Sequence, residues 1–222
     1  MAPEKTGSGY VPAAGWRAFT RLYDPVLART MREKRFRGEM LRRVEPDLPE
    51  GGTAVDVGCG TGTFALALKQ RRPDARVVGV DGDAEILGLA QVKQGAAGIE
   101  WREGLAQELP LEAESADVVT TSLMLHHLLP DDKRKALAEM KRILKPGGRL
   151  HVADWGRPSD PLMSALFYVV QIADGFDRTA DHRAGQLPAF IEDAGFGSPE
   201  RYGRIRTGFG VIELLTAKPA AA

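Results

Sequence analysis

An acidic residue followed by three glycines at alternate positions constrains the fold of this chain more than any other feature. Residues 55–62 read Val-Asp-Val-Gly-Cys-Gly-Thr-Gly, and a helix-like run, 64–68, follows them. This order predicts a strand, a tight turn and a helix. Glycine is needed where the backbone takes positive φ or where a ligand approaches with no Cβ in the way, and a helix N-terminus offers unpaired N–H groups to polar or anionic atoms. The turn is therefore predicted to receive a ligand.

The spacing of the glycines indicates which ligand. Gly58, Gly60 and Gly62 miss the dinucleotide pattern G-x-G-x-x-G by one position, where Thr63 stands. A carboxylate at Asp56 can brace the loop amides or reach the ammonium of a zwitterionic ligand. The turn resembles the first motif of the class I S-adenosylmethionine-dependent methyltransferases, and that resemblance implies S-adenosylmethionine as the cofactor. A glycine-rich turn that only satisfies a tight bend is the alternative.

Strand-like and helix-like segments alternate after residue 50, which predicts a mostly parallel sheet with helices on both faces. The predicted strands are 52–57, 76–80, 98–102, 116–121 and 148–153, and the helices between them are 62–71, 83–93 and 131–144. Past Asp154 the pattern predicts a helix at 161–173, a polar break at 174–185, a helix at 187–194 and closing strands near 200–206 and 209–216. A helix is also predicted from Asp24-Pro25 to Val44.

The resemblance gives this pattern a fold class. It implies an α/β, Rossmann-like seven-stranded methyltransferase sheet, mostly parallel, with an antiparallel strand near the C-terminus. We expect an N-terminal helical lid at 1–49 and a single cofactor-binding domain at 50–222, with 156–194 as a substrate-side helical insertion. The apolar segment 161–176 is read as a wall of the substrate pocket, with a core helix or a dimer face as alternatives.

A second motif follows the glycine turn. Val77 to Val80 form a buried-strand pattern that ends in Asp81, about 20 residues after the turn, where a carboxylate can accept both hydroxyls of a ribose. Gly82 beside it leaves space for the adenine edge. An isolated acid at a strand end is more often a turn residue or a helix cap, but the position of Asp81 relative to the glycines favours the ribose.

The third motif departs from the family. Residues 104–106 read Gly-Leu-Ala where the family usually has Gly-Asp-Ala, so Leu105 offers the adenine only apolar contact. The resemblance then assigns adenine recognition to the Ala106 N–H or to a neighbouring polar side chain, Glu103, Gln107 or Glu108. Residues 116–128 and 141–150 also match the family in order, and the resemblance covers roughly residues 50–155.

Candidate catalytic residues follow the predicted fourth and fifth strands. Parallel strands bring Ser122, His126, His127 and Asp154 to one carboxyl edge, where open α/β sheets bind ligands. An imidazole that titrates near neutral pH suits the removal of a proton from the methyl acceptor. The alternative for His126 and His127 is packing beneath the cofactor and capping of a turn. Asp154 can orient a histidine or bind substrate, or stand as a plain strand-end carboxylate.

The aromatic residues of the N-terminal region have two interpretations. Tyr10, Trp16, Phe19 and Tyr23 lie where similar enzymes fold a lid over the cofactor, and Tyr23 is the candidate for contact with the sulfonium. Core packing is the alternative. The basic residues Arg29, Arg32, Lys34, Arg35 and Arg37 are interrupted by Glu33 and Glu39, which indicates a solvated helix face.

Composition restricts the partners. Lys plus Arg and Asp plus Glu number 30 each, so no global field attracts nucleic acid or a membrane surface. No stretch reads as a signal peptide or a spanning helix, and we expect a cytoplasmic protein that binds a small-molecule substrate, with a homodimer left open. Cys59 is the only cysteine, which excludes an internal disulfide; as a small residue filling a tight turn it is favoured over a reactive thiol.

Motifs that are absent from the chain exclude several classes of methyl acceptor. Ser122-Leu123-Met124 replaces the Asn/Asp-Pro-Pro-aromatic turn of nucleobase-methylating enzymes, arsenite methylation needs several cysteines, and only Asp154 resembles the acidic cluster of catechol-type enzymes. We therefore expect metal-independent transfer to the O, C or N atom of a small apolar or aromatic molecule. A non-catalytic cofactor-binding protein and an NAD-binding oxidoreductase are the alternatives.

Overall fold

The structure, a computed structural model, describes residues 30–220. Its strands are β1 (Thr53–Val57), β2 (Arg76–Asp81), β3 (Ile99–Glu103), β4 (Ala116–Ser122), β5 (Leu144–Trp155), β6 (Glu200–Arg206) and β7 (Val211–Ala217). Its helices are α1 (Glu33–Val44), α2 (Thr63–Arg71), α3 (Ala84–Gln91), α4 (Pro130–Ile143), α5 (Pro161–Asp174), α6 (Phe176–Ala184) and α7 (Leu187–Asp193). Each predicted strand and helix between residues 50 and 174 is present, displaced at most a few residues at its ends.

Within residues 30–220 the seven strands form one sheet in the order β3-β2-β1-β4-β5-β7-β6. The pairs from β3 to β5 are parallel, and β7 runs antiparallel to both β5 and β6. The predicted seven-stranded, mostly parallel sheet with an antiparallel strand near the C-terminus is therefore confirmed. The strand order reverses beside β1, which puts the crevice at the carboxyl ends of β1 and β4.

Both faces of the sheet are covered, as the continuous apolar runs of the central strands require. On one face Phe36 and Met40 of α1 pack with Phe64 of α2 and Phe167 of α5. On the other face α4 and α7 pack against the valines of β1 and β2. The helices begin at residues that favour a start: the Asp83 side chain accepts the N–H groups of Glu85 and Ile86, and Asp160 accepts that of Met163.

The polar break predicted at 174–185 is wrong, because residues Phe176–Ala184 form α6. The helix carries buried polar side chains, Thr179, Asp181 and His182. The ammonium of Lys133 in α4 donates to both carboxylate oxygens of Asp181, at 2.7 and 2.6 Å. Polar residues such as Asp181 lead to the prediction of a loop. The charge of Asp181 is neutralised by Lys133, which lies 48 residues away in the sequence.

The predicted N-terminal lid and the predicted domain division lie only partly within the described residues. Residues 1–29 lie outside the described residues, so the lid aromatics Tyr10, Trp16, Phe19 and Tyr23 and the helix start at Asp24-Pro25 stay predictions, as does the division at 1–49, 50–222 and 156–194. In the described part, α1 packs its buried face into the core of the sheet. Helix α5 buries Met163 and Phe167, of which Phe167 belongs to that core, and exposes Leu162 and Ile172.

Candidate functional site

The glycine turn joins β1 to α2 at the predicted place. Gly58, Gly60 and Gly62 have φ values of +68°, +53° and +72°, the left-handed region that glycine adopts without strain. A Cβ on Gly58 would lie 2.3 Å from Cγ of Met124, and one on Gly62 would lie 2.3 Å from Cη2 of Trp101. The missing side chain of Gly58 therefore lets Met124 of the turn after β4 pack against it, and that of Gly62 lets the Trp101 indole do so.

Asp81 holds this turn from the end of β2. Its Oδ2 accepts the Gly60 N–H at 2.7 Å and its Oδ1 accepts the Asp83 N–H at 3.0 Å. Burial raises the pKa of Asp81, although these backbone N–H groups lower it. The carboxylate thus fixes the glycine turn and the start of the next loop together, and it lies in the wall of the adjoining cavity.

Asp56 lies below the turn and is 2% exposed. Thr120 donates its hydroxyl to Oδ1 at 2.8 Å, while Oδ2 finds no hydrogen-bond partner among residues 30–220. Burial raises the pKa of Asp56 to about 7, with the Thr120 hydrogen bond and the Arg37 charge acting against it. The predicted brace on the loop amides is made by Asp81 instead, and Asp56 keeps a buried oxygen free to accept a donor.

Arg37 of α1 differs from the solvated residue that the sequence predicts. Its side chain is 20% exposed and lines the cavity, with Nε buried and without a hydrogen-bond partner among the described residues. Its Nη2 lies 3.4 Å from Oε2 of Glu33. Leu41 and Val44 follow it by four and seven residues and are buried, so helical spacing is the signal that places Arg37 on the inward face.

The cavity runs along the carboxyl ends of the strands and has a volume of about 660 Å³. Its lining includes the glycine turn with Cys59, Asp81 and Gly82, and Leu105, Ala106, Gln107 and Glu108. It also includes Ser122, Leu123, Met124, His127, Leu128 and Leu129, together with the charged residues Arg37, Asp132, Lys135 and Arg178. Leu105 presents an apolar side chain, 37% exposed, where the family has an acid.

Cys59 is buried within the turn. Burial raises the pKa of its thiol, and the charges of Asp56 and Asp81 add to that rise. A thiol held in its neutral form is a weak nucleophile. The environment therefore supports the interpretation of Cys59 as a small packing residue.

The two histidines of the turn after β4 lie at different depths. His126 is 4% exposed, and its Nδ1 lies 2.7 Å from Oδ1 of Asp154. The ring centroids of His126 and His127 are 4.0 Å apart, and His127 is the one that lines the cavity; His126 is not in the lining formed by residues 30–220. Asp154 therefore orients His126, while His127 is the imidazole available to a bound acceptor.

Charges around the histidines shift their pKa values in opposite directions. Burial lowers the pKa of His126, but the charge and hydrogen bond of Asp154 and the charge of Asp174 outweigh it, and the net shift is upward. Burial and the charge of His126 lower the pKa of His127. His127 is thus the imidazole favoured in its neutral form, which is the form of a general base.

Asp174 and His182 belong to the same cluster, and the sequence did not identify either. Asp174 ends α5 with Oδ1 3.4 Å from Nδ1 of His127. His182 of α6 lies edge-on to His126, with ring centroids 6.2 Å apart, and its Nδ1 lies 2.7 Å from the Trp155 carbonyl oxygen. No local pattern marks these residues, because their neighbours come from distant segments of the chain.

Comparisons with known proteins agree with this geometry. The family described as "Methyltransferase domain" matches residues 55–152. The demethylmenaquinone methyltransferase of Thermus thermophilus is 41% identical over 170 residues, which cover 76% of this chain and 72% of that protein. That of Deinococcus radiodurans is 35% identical over 162 residues, covering 70% of this chain and 66% of the relative. The magnesium protoporphyrin IX methyltransferase of Synechocystis, solved with bound S-adenosylhomocysteine, matches with a TM-score of 0.69 and 21% identity, covering 91% of this chain and 93% of that one.

The chain belongs to the S-adenosylmethionine-dependent methyltransferase family, and S-adenosylmethionine is its cofactor. The matched residues, 55–152, run from β1 to β5 of the seven-stranded sheet that the sequence predicts. The chain spans 66%, 60% and 51% of the lengths of three curated relatives, from Deinococcus radiodurans, Lactiplantibacillus plantarum and Syntrophotalea carbinolica. No helix between residues 30 and 220 is both long and apolar enough to cross a membrane.

Proposed function

We propose that the protein transfers the methyl group of S-adenosylmethionine to a ring carbon of a small aromatic quinol, the reduced form of a quinone, whose electron-rich ring carbon is the nucleophile. The observation that carries the proposal is a single cavity of about 660 Å³ whose lining contains the glycine turn and Asp81 and also His127 with four apolar side chains of the segment after β4. A donor site and an acceptor site in one enclosure are what direct transfer between two bound molecules needs.

The part of the cavity beside the glycine turn has polar groups that can still bind the hydroxyl and charged groups of S-adenosylmethionine. A Cβ on Gly60 would meet no heavy atom of the described residues within 4 Å, so the turn is open to a ligand at that glycine. The Asp81 carboxylate has lone pairs left to accept ribose hydroxyls. Arg37 lines the cavity and has a buried Nε without a partner among residues 30–220, so it offers a positive charge to the carboxylate of the methionine end. Asp56 lies below the turn, outside the cavity lining that these residues form, and adds a buried negative charge beneath the loop. NAD has no amino-acid carboxylate, so Arg37 favours the methyl donor.

The adenine end fits a largely apolar slot. Leu105 and Ala106 face the cavity, and the backbone N–H of Ala106 together with the side chains of Gln107 and Glu108 supplies the polar contacts. Glu103 does not line the cavity formed by the described residues. The adenine is then held by apolar contact and few hydrogen bonds, which is the usual construction of a small-molecule site.

The acceptor end favours a flat apolar molecule. Leu123, Met124, Leu128 and Leu129 line it beside Ser122 and His127. Relatives with 35% and 41% identity are named demethylmenaquinone methyltransferases, and a naphthoquinone-type ring matches an apolar wall with one imidazole. Transfer to a phenolic oxygen of the same class of molecule is the second candidate, favoured by the same imidazole.

Bound S-adenosylmethionine supplies a sulfonium methyl group. The residues of the cavity would align the acceptor carbon with that methyl. His127, whose lowered pKa favours the neutral imidazole, would accept the proton that the ring carbon loses when the methyl group moves from sulfur to carbon and S-adenosylhomocysteine leaves. Asp154 and His126 support the turn that presents His127.

Transfer of an isotope-labelled methyl group tests the proposal. We expect label in a naphthoquinol with an unsubstituted ring carbon, and none in its analogue methylated at that carbon. If both molecules were labelled at an oxygen atom, the acceptor atom would be oxygen and not carbon. Binding of S-adenosylhomocysteine without turnover on either ring would favour a non-catalytic binding protein, and binding of NAD in its place would favour an oxidoreductase.

Variants of the two histidines separate chemistry from packing. We expect His127→Ala to lower turnover at least a hundredfold while S-adenosylhomocysteine affinity changes less than twofold, since general bases contribute about 10²–10⁴-fold. Equal losses of turnover and affinity would assign His127 to packing. His126→Ala is expected to lower turnover and thermal stability together, because it leaves the Asp154 carboxylate buried without its partner.

A further inference from the structure

The turn after β4, the end of β5 and the end of α5 bring together two imidazoles and two carboxylates. His126 and His127 come from the turn, Asp154 from β5 and Asp174 from α5. One ligand atom from each of His126, His127 and Asp174 can be chosen so that all three lie within 4.8 Å of one another. We infer that these three residues bind a divalent transition-metal ion such as Zn²⁺, with Asp154 holding His126 in the ligating orientation.

The distances within the triad fit an ion better than direct hydrogen bonds. Nε2 of His126 lies 3.6 Å from Asp174 Oδ2, and Nδ1 of His127 lies 3.4 Å from Asp174 Oδ1. An N–H···O hydrogen bond spans about 2.7–3.2 Å. Ligand atoms that sit about 2.0–2.1 Å from a tetrahedral ion lie about 3.3–3.4 Å from each other. The two distances to the Asp174 oxygens are therefore close to those between ligands of one ion, and the three ligand atoms, all within 4.8 Å of one another, need only a small adjustment to meet on it.

The other nitrogen of His126 is held as a metal ligand requires. Its Nδ1 lies 2.7 Å from Oδ1 of Asp154, which is buried and also accepts the Trp155 N–H. A hydrogen bond from the Nδ1–H to Asp154 leaves the Nε2 lone pair directed at Asp174. Ligating histidines almost always donate their second ring N–H to a carboxylate or carbonyl, which fixes the tautomer and the ring orientation.

The charge of the cluster also favours a cation. Asp154 and Asp174 bring two formal negative charges into a region where His126 is 4% exposed. The ammonium of Lys133, whose charge acts on His126, is already bonded to both oxygens of Asp181. Two further buried atoms, Oδ2 of Asp154 and Nε2 of His182, have no hydrogen-bond partner among the described residues. A divalent ion would balance the carboxylates without a proton.

The donor set selects the class of ion, and the position gives it an open face. Two imidazoles and one carboxylate suit Zn²⁺ and other first-row divalent metals rather than Mg²⁺ or Ca²⁺. His127 lines the cavity, so a ligand position beyond the three protein groups opens toward a bound molecule. An ion bound at Nδ1 of His127 occupies the lone pair with which a neutral imidazole accepts a proton, so the ion-bound protein and the protein with His127 as base are two different states. The metal independence predicted from the sequence refers to the second state and stays a separate prediction.

Metal titration of tag-free, chelator-treated protein tests the inference. We expect one Zn²⁺ per chain by calorimetry, and with Co²⁺ a visible absorption band of a four- or five-coordinate site. Asp174→Asn and His127→Ala should each weaken Zn²⁺ binding at least tenfold and abolish the Co²⁺ band. Asp154→Asn should weaken binding about 10–100-fold without removing a ligand.

Asp177→Asn is the matched control, because Asp177 is an exposed carboxylate three residues from Asp174; it should bind Zn²⁺ within twofold of the unaltered protein. Far-UV circular dichroism and S-adenosylhomocysteine binding check that each variant is folded. Equal Zn²⁺ affinity in the unaltered protein and Asp174→Asn would overturn the site. Absence of Zn²⁺ binding in protein that still binds S-adenosylhomocysteine would also overturn it, leaving a hydrogen-bonded histidine network and the proposed function intact.

Discussion

The carboxylate of Asp81 accepts the backbone N–H of Gly60 at 2.7 Å, across 21 residues of chain. This bond joins the end of β2 to the turn that ends β1, at the edge where the sheet reverses its strand order. The residue predicted to bind the ribose therefore also sets the shape of the loop beside it. A change at Asp81 removes a ligand contact and a loop support together.

Asp81→Ala should lower the affinity for S-adenosylhomocysteine at least tenfold, because hydrogen bonds to a charged acceptor contribute about 1.5–3 kcal/mol each. Calorimetric titration measures it. Asp83→Ala is the control: Asp83 caps α3 through the N–H groups of Glu85 and Ile86, so its loss should cost about 1 kcal/mol of stability and leave the affinity within twofold. Unchanged affinity in Asp81→Ala would remove Asp81 from the cofactor site.

Arg37→Gln separates the two ends of the cofactor. If the guanidinium binds the carboxylate of the methionine end, affinity for S-adenosylhomocysteine should fall about tenfold or more. Affinity for 5′-methylthioadenosine, which lacks the amino-acid group, should stay within twofold. Arg35→Gln, an exposed change on the same helix, should alter neither. Equal losses for both ligands would assign Arg37 to the shape of the cavity instead.

Two glycines of the turn should differ in their tolerance of a methyl group. Gly62→Ala places a Cβ 2.3 Å from Trp101 at a φ of +72°, and overpacking together with the left-handed backbone should lower the free energy of unfolding by about 2–4 kcal/mol. Gly60→Ala meets no heavy atom of the described residues within 4 Å and should cost about 1 kcal/mol. Urea denaturation without ligand gives both values, and equal losses would contradict the role of the indole.

The parts of the fold that follow from local pattern were predictable. The alternation of apolar runs, caps and glycines located β1 to β5 and the helices between them, because the central strands are buried on both faces and each helix has one apolar side. Residues of the candidate site could be chosen from the sequence where they lie at the ends of strands, as Asp81, Ser122 and Asp154 do. The order of elements then brought these residues to one edge of the sheet.

The rest depends on contacts between distant segments. Helix α6 reads as a loop because Asp181 and His182 are polar, and only Lys133 of α4 and the Trp155 carbonyl make their burial favourable. Asp174 reads as the end of an apolar segment until the histidines of another turn lie beside it. Such pairings have no signature in one sequence, since neither partner is unusual in its own neighbourhood.

Asp56 should make stability depend on pH. Its pKa of about 7 in the folded protein lies above its ordinary value of 3.8, so the native state binds a proton that the unfolded chain lacks between these values. The contribution of Asp56 to the free energy of unfolding should therefore be highest below pH 4. It should fall as pH rises to about 7, by at most roughly 1.4 kcal/mol per pH unit. Asp56→Asn should remove that slope. Chemical denaturation from pH 4.5 to 8 compares the two, and parallel curves would contradict the shift.

The pair of Lys133 and Asp181 links α4 to α6, and both side chains are buried. Lys133→Met leaves a buried carboxylate without its partner and should lower the free energy of unfolding by about 3–5 kcal/mol. The double variant Lys133→Met/Asp181→Leu should recover most of that loss, because it removes both buried charges. Asp131→Asn, which weakens an exposed pair with Arg134, should change stability by less than about 1 kcal/mol. A double variant as unstable as the single one would show that the packing around Lys133, rather than its charge, holds α6 in place.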